Sequence, residues 1–213
     1  MSSKIKVDQI ENTSGSGDVT FTGTGGISLS SVKLSTIKSS NGTEGMTITS
    51  SGHLTYPKMV IETWLIAKSG NQDNLIGSTQ EELDSDWARD TRTGIVQRNV
   101  GITQSSGVFS FPTSGIYKVT FNTKTYGNTA YIGGYIAHST NSGSSYVVMD
   151  SSFNSGTASG HHQNTFTQAI LDINSTTSRV KFQIFSGATS SVYYRGNTAE
   201  PQHACKAYFE QIG

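Results

Sequence analysis

The chain has 213 residues, of which 33% are hydrophobic and only 14% are charged. Its 15 basic and 15 acidic side chains give a formal net charge of zero, so nothing in the overall charge attracts nucleic acid phosphates or an anionic membrane. Thr, Tyr, Val and Ile suit strands, and few of the residues that favour helices are present. The composition therefore predicts an all-β protein that does not bind nucleic acid.

The first residues of the chain and its single cysteine bear on secretion, membrane insertion and disulfide formation. Residues 1–6 read Met-Ser-Ser-Lys-Ile-Lys with no apolar stretch behind the charges, so we expect neither a signal peptide nor membrane insertion. Cys205 is the single cysteine and cannot form a disulfide within the chain. Stability is therefore expected to come from core packing or from self-association.

Residues 1–55 are too poor in large apolar side chains to build a core of their own. Phe21 is their only aromatic residue, and short apolar runs alternate with Gly, Ser, Thr and Asn. We predict an N-terminal β-rich trimeric stem, in which partner chains supply the missing core.

An internal repeat supports an ordered stem. An offset of 27 residues aligns Ile10 with Ile37, and residues 19–22 with residues 46–49. Each repeat is predicted to form a β-arch or hairpin whose alternating apolar residues share one face. The alternative is a flexible Gly/Ser linker, which rarely keeps such alternation.

From Tyr56 onward the sequence is dense in strand formers, so residues 56–213 are predicted to form a separate head. Residues 70–92 are polar and acidic and are predicted to be a long loop. Turn residues divide the rest into strands. The predicted strands cover residues 59–68, 93–102, 107–111, 115–126, 130–138, 144–150, 164–174, 179–187 and 203–212. Their number and spacing predict a two-sheet sandwich or jelly roll.

Alternation along the predicted strands indicates sheets with one buried side. In the last strand Cys205, Ala207 and Phe209 share one face, and polar or charged residues share the other. The strand at 179–187 follows the same pattern. Each sheet is thus expected to bury one face against the other sheet.

The most informative stretch, residues 107–121, reads Gly-Val-Phe-Ser-Phe-Pro-Thr-Ser-Gly-Ile-Tyr-Lys-Val-Thr-Phe. Phe109 and Phe111 point into one core, Pro112 ends the strand, and Gly115 permits a sharp reversal into the next strand. This stretch resembles the signature of the complement subcomponent-q globular head, in the tumour-necrosis-factor-like jelly-roll superfamily. The closing residues 207–213 resemble the last strand of such heads.

Heads of this family are homotrimers, so the resemblance implies that residues 56–213 trimerise. Surplus aromatic residues and one histidine pair are the candidates for the trimer interface or for a ligand site: Trp64, Tyr126, Tyr131, Tyr135, His161 and His162. The alternative is that they complete the core of a single chain or stand singly on its surface.

The stem carries a second resemblance. Residues 4–12, Lys-Ile-Lys-Val-Asp-Gln-Ile-Glu-Asn, and residues 45–57 are similar to N-terminal segments of virion proteins from tailed phages of aquatic bacteria. Such segments precede varied heads in tail fibres and similar appendages. The resemblance implies that residues 1–55 contact other virion proteins and that the chain is located in the virion after assembly in the host cytoplasm.

Few residues are arranged for metal binding. His161 and His162 are adjacent in a Ser/Gly loop predicted at 151–163, and would hold a metal only if copies met at a threefold axis; the alternative is a solvated loop. An acidic set could hold calcium, as some heads of the resembled family do, but it lacks EF-hand spacing. Its members are Glu81, Glu82, Asp84 and Asp86. We expect no metal site and no cofactor, with calcium as the alternative.

The sequence contains no nucleophile elbow, phosphate loop or dinucleotide fingerprint, so no catalytic or cofactor-binding residue is assigned. The favoured function is a non-enzymatic, homotrimeric tail fibre or appendage subunit of a tailed bacteriophage, whose head binds a host-surface glycan or protein. The main alternative is a capsid decoration or cement protein. A glycan depolymerase tailspike could use Asp150 and Asp172. A secreted adhesin or lectin is disfavoured by the missing signal peptide.

Overall fold

The computed structural model describes the backbone at residues 36–38, 44–48, 54–55, 59–67, 71–75, 79–127, 131–155, 161–187, 192–195 and 204–213. Side chains are described at 59–67, 80–126, 131–155, 163–187 and 204–213. All regular structure in these ranges is β-strand, which confirms the all-β prediction. The described residues accordingly include no helix of the length and apolar character that crossing a membrane requires.

Sixteen strands lie in the described residues. They are β1 (Thr36–Lys38), β2 (Glu44–Ile48), β3 (Leu54–Thr55), β4 (Ile61–Ile66), β5 (Asn71–Leu75), β6 (Thr79–Glu82), β7 (Trp87–Arg89), β8 (Thr103–Ser105), β9 (Val108–Ser110), β10 (Gly115–Gly127), β11 (Ile132–Ser139), β12 (Val147–Asn154), β13 (His161–Ile173), β14 (Arg179–Ser186), β15 (Val192–Arg195) and β16 (Lys206–Gln211).

The first three strands fall within the predicted stem. They form a small antiparallel sheet in the order β1-β2-β3, with Ile37 opposite Met46 and Ile48 opposite Leu54. This sheet covers the second predicted repeat, while the first repeat, residues 1–35, lies outside the described residues. The division into stem and head and the trimeric state of the stem stay predictions.

The other strands form two antiparallel sheets that pack face to face. The first sheet runs β13-β10-β16-β4-β7, and β15 pairs with the end of β10 and carries β5 at its side. The second runs β12-β11-β14-β9-β8, and β6 pairs with β14. This arrangement confirms the predicted two-sheet sandwich.

Phe109 of β9 is the centre of the core between the sheets. Its buried ring lies with its centroid 5.5 Å from Trp64, 5.2 Å from Trp87, 5.4 Å from Phe182 and 5.1 Å from Phe209. Trp64 and Phe209 belong to the first sheet, whereas Phe182 belongs to the second. The contacts with Trp64, Trp87 and Phe182 are edge to face, which adds to the free energy gained by burying the rings. One side chain therefore joins both sheets.

The stretch at 107–121 is arranged as predicted. Phe111 and Tyr117 are buried with ring centroids 4.9 Å apart, and Phe121 is buried in the same core. Gly115 has a φ of +147°, and a side chain there would overlap the carbonyl oxygen of Gly213. Glycine is therefore required where β10 begins beside the end of the chain.

The predicted loop at 70–92 is wrong in part, since β5, β6 and β7 lie within it. Polar residues form β6 because its backbone pairs with the edge of β14, and β7 buries Trp87 in the core. The short strands β8 and β15 were not predicted either. Pairing with a neighbouring strand, rather than apolar alternation, creates these elements.

The strand predicted at 93–102 is also wrong. Only Arg98 makes an isolated bridge, to Ile61, and Val96 and Val100 are exposed. The backbone is held instead by side chains: Gln97 Nε2 donates to the carbonyls of Thr63 and Asp90. Side-chain hydrogen bonds of this kind compete with strand ladders.

Glu62 anchors the same irregular segment to β4 from inside the core. Its fully buried carboxylate accepts from Trp64 Nε1 at 3.1 Å, Arg89 Nε at 2.8 Å, and the amides of Gly101 and Ile102 at 2.5 and 2.8 Å. A buried carboxylate is tolerated only with such partners. Residues 101–102 are thereby fixed against β4 without a strand.

We predict that Phe109→Ala lowers the free energy of unfolding by about 3–5 kcal/mol, because it leaves a cavity between the sheets. The control is Val96→Ala, whose side chain is 56% exposed, and which should change the same quantity by less than about 0.5 kcal/mol. Guanidinium unfolding at one protein concentration measures both. Equal effects of the two substitutions would contradict the central position of Phe109.

Candidate binding surfaces of the head

β13 is the outermost described strand of the first sheet and exposes large apolar side chains. Its alternate residues Thr165, Thr167 and Ala169 are buried, while Phe166 is 59% and Ile170 is 64% exposed. Phe166 lies opposite Asn122 and Ile170 opposite Lys118 on the neighbouring strand β10. The apolar side chains therefore stand out along the edge of the sheet.

β12, the outermost described strand of the second sheet, lies beside β13. Ser152 Oγ is 3.0 Å from Thr167 Oγ1, and the amide of Gln168 donates to Asp150 Oδ2 at 3.1 Å. The outward residues near the start of β12 are again apolar. We define the β12–β13 edge as Val147, Val148, Met149, Phe166 and Ile170, all of which are exposed. Large apolar patches on a protein surface mark contact sites.

The other part of the first sheet's outer face carries a group of charged side chains. Arg92 donates to the buried carboxylate of Asp90 from Nε at 2.8 Å and from Nη2 at 2.6 Å, and Lys206 Nζ lies 3.8 Å from the same carboxylate. The hydrogen bond from Arg92 lowers the pKa of Asp90, whereas burial raises the pKa of the adjacent Tyr208. One carboxylate thus faces two cations, and the group keeps one net positive charge.

Four aromatic rings form a cluster on the outer face of the second sheet. Tyr131 stacks on Phe185 with a centroid distance of 5.5 Å, and Phe153 meets Tyr135 edge to face at 5.6 Å. Phe153 also lies 6.2 Å from Tyr131 and 6.3 Å from Phe185. We call these four residues the aromatic platform. Phe153 is 51% and Tyr131 is 40% exposed.

The backbone beneath the aromatic platform contains two glycines. Gly133 pairs with Phe153 on one side and with Phe185 on the other, and a side chain on Gly133 would overlap the ring of Phe153. A side chain on Gly187 would overlap the ring of Tyr131 in the same way. Glycine at both positions therefore lets the rings lie directly on the sheet.

The sequence-based candidates separate into two environments. Tyr131 and Tyr135 lie together in the aromatic platform, while Trp64 is 7% exposed and packs in the core. The position of Trp64 favours the alternative that it completes the core of one chain. Tyr126 lies on β10 opposite Tyr193 and His162. The sequence analysis missed Phe153 and Phe185, which only the register of β12, β11 and β14 brings together.

The candidate metal residues are not assembled in the described part of the chain. Glu82 pairs with Lys181, and no group of three or more His, Cys, Asp or Glu residues there is arranged around a common point. The predicted loop at 151–163 is wrong at both ends, because β12 extends to Asn154 and β13 begins at His161. The side chains of His161 and His162 lie outside the described residues.

The two carboxylates considered for glycan cleavage have different surroundings. Asp150 accepts the amide of Gln168, as described above. Asp172 lines an open polar groove of about 440 Å³ at the start of β10, together with Ser114, Thr140 and Asn174. The two aspartates therefore belong to separate hydrogen-bonding environments.

Comparison with known proteins identifies the fold. No protein-family model and no curated protein sequence matches the chain. The structure of Eiger TNF from S. frugiperda aligns with a TM-score of 0.51 and 14% identity, over 73% of this chain and 93% of that one. Murine APRIL at pH 8.0 aligns with a TM-score of 0.51 and 10% identity, over 73% and 100%. The head is thus a jelly roll like those of tumour-necrosis-factor-family proteins, which confirms that resemblance for the fold.

We predict that Asp90→Asn lowers the free energy of unfolding at neutral pH by about 1–3 kcal/mol, since it removes a charged hydrogen-bond acceptor of Arg92. Because the folded pKa of Asp90 is lowered, its stabilisation is present above about pH 4 and is lost as the pH falls through the folded pKa. The difference between wild type and variant should therefore shrink in acid. Urea unfolding across this pH range measures it, with exposed Asp84→Asn as control, and a pH-independent difference would contradict it.

Proposed function

We propose that this chain is a structural virion protein of a tailed bacteriophage, a homotrimeric tail fibre or appendage subunit whose head binds the host surface. The observation that carries the proposal is the β12–β13 edge, an apolar surface on a jelly roll whose family resemblance implies a homotrimer. The similarity of residues 4–12 and 45–57 to phage virion proteins supplies the setting.

Exposed edge strands favour self-association for two physical reasons. Burial of apolar surface stabilises a complex by about 25 cal/mol per Å², and Phe166 and Ile170 are more than half exposed. In the described residues the edge of β13 is also met only by side chains of β12, which bind the amide of Gln168 and the carbonyl of Asn164, and not by a paired strand. Along β13 the exposed residues from 164 to 170 carry no charge, and the exposed Asp172 follows near the end of the strand. A second copy of the chain would cover this edge.

Rotational symmetry then sets the form of the assembly. Only a twofold axis lets a surface meet its own equivalent, so in a threefold ring the β12–β13 edge would contact a different surface of the next copy. Contacts of this kind close into a ring when the rotation allows it. Three copies is the number that the family resemblance implies.

Trimerisation would also explain how the stem is stabilised. A three-stranded sheet as short as β1, β2 and β3 has little apolar surface to bury. Three adjacent stems would bury their alternating apolar residues against one another. In this proposal residues 1–55 contact other virion proteins, and the head acts by binding a glycan or protein of the host without catalysing a reaction.

We predict that the wild-type chain is a trimer at micromolar concentration in light scattering coupled to size exclusion. Ile170→Glu should dissociate it, because the charge would be buried at the β12–β13 edge. Val96→Glu, on the exposed irregular segment, should leave it trimeric. Near-UV circular dichroism verifies that each variant is folded. A monomeric wild type, or a trimeric Ile170→Glu variant, would contradict this interface.

We further predict that the chain is present in purified virions, as determined by mass spectrometry. Antibodies against residues 56–213 should label the tail or its appendages in electron micrographs. Labelling distributed over the shell would instead support a capsid decoration protein, and absence of the chain from virions would overturn the proposed setting.

A further inference from the structure

The aromatic platform exposes apolar side-chain area to solvent in the folded chain. Its rings already contact one another, yet Phe153 remains 51% and Tyr131 40% exposed. Burying a large aromatic side chain contributes favourably to stability, so a cluster left half exposed on a sheet face indicates a contact site. The platform therefore has apolar area available for a ligand.

The platform is also held in place before any ligand binds. Gly133 and Gly187 let Phe153 and Tyr131 lie against the backbone, and the stacking of Tyr131 on Phe185 restricts both rings. Rigid aromatic side chains lose little conformational entropy on binding. A small ligand can therefore gain from this surface even though the surface is open.

Polar side chains continue the same face beside the rings. On β14, Gln183 lies two residues from Phe185 and opposite Tyr135, and its amide is hydrogen bonded to that of Gln80 on β6. Lys181 follows, paired with Glu82 and 4.3 Å from the centre of the Tyr146 ring. The face thus combines aromatic rings with amides, and its charges cancel.

This combination selects the chemistry of the ligand. A nucleic acid or acidic polymer would need uncompensated cations, and a lipid chain would need a continuous apolar groove. A pyranose ring has an apolar C–H face and a rim of hydroxyl groups. The C–H face fits flat against aromatic rings, and the hydroxyl groups can bond to the amides and phenol hydroxyls beside those rings. Burial raises the pKa of Tyr135, so its hydroxyl stays protonated and can donate.

We propose that the aromatic platform, Tyr131, Tyr135, Phe153 and Phe185, binds a neutral saccharide, with Gln183 and Gln80 supplying hydrogen bonds to its hydroxyl groups. The inference rests on the proposed function, because it gives the host-surface partner its chemical class. The platform lies on the outer face of the second sheet, at the far end of β12 from Val147. Association through the β12–β13 edge, at the Val147 end of that strand, would leave it open to solvent.

The test is saturation-transfer NMR of the full chain with neutral methyl glycosides of glucose, mannose, galactose and N-acetylglucosamine at millimolar concentration. We expect transfer from the protein to the C–H protons of at least one glycoside. Phe153→Ala and Tyr131→Ala should each weaken binding about tenfold, as for an aromatic residue at the centre of a contact. Phe153→Tyr keeps the ring and should retain binding.

The control is Val96→Ala, which removes a comparably exposed apolar side chain (56%) outside both the platform and the β12–β13 edge, and should leave saccharide affinity unchanged. Absence of transfer to all four glycosides, or binding that survives both Phe153→Ala and Tyr131→Ala, would overturn the inference. The oligomeric state of each sample is measured in parallel. A trimer that binds no saccharide refutes the platform alone, while a monomer that binds one refutes the trimer alone.

Discussion

The placement of Phe109 between the two sheets is the constraint on which the rest of the head depends. Its ring contacts Trp64 and Phe209 from one sheet and Phe182 from the other, so the sheets share one core. Because side chains alternate along a strand, fixing the inner face also fixes which residues point outward. The outer positions of β13 and of β14, including Phe166 and Phe185, follow from that packing.

The sequence predicted the strands whose alternation faces this core and failed where other interactions hold the backbone. Residues 107–121 and 179–187 alternate apolar and polar residues, and the structure contains them as strands. Residues 93–102 are apolar enough to resemble a strand, but the carboxylate of Glu62 takes the amides of Gly101 and Ile102. A buried acceptor forty residues away in the chain leaves no local pattern. The prediction also missed β6, because its residues are polar and pairing with β14 forms the strand.

The residues of the candidate surfaces were likewise predictable only where they lie close together in the sequence. Tyr131 and Tyr135 were identifiable as surplus aromatics four residues apart near a strand. Phe153 and Phe185 were not, because their proximity depends on Gly133 pairing with both. Trp64 was a candidate for the interface with the core as the alternative, and its ring packs in the core beside Glu62 and Phe109. A surplus of aromatic residues in the sequence thus indicates that an aromatic surface exists, and the register of the strands determines which residues form it.

The two outer faces of the sandwich differ in the kind of contact that each favours. Phe166 and Ile170 project along an edge from a stretch of β13 without charged residues, which suits burial against a large, complementary surface such as another protein chain. The rings over Gly133 lie flat and end beside amides, which suits a small ligand with one apolar face. Because β12 carries Val147 at one end and Phe153 near the other, one strand contributes to both. A trimer that positions three such platforms around its axis would gain avidity for a repeating glycan from weak single sites.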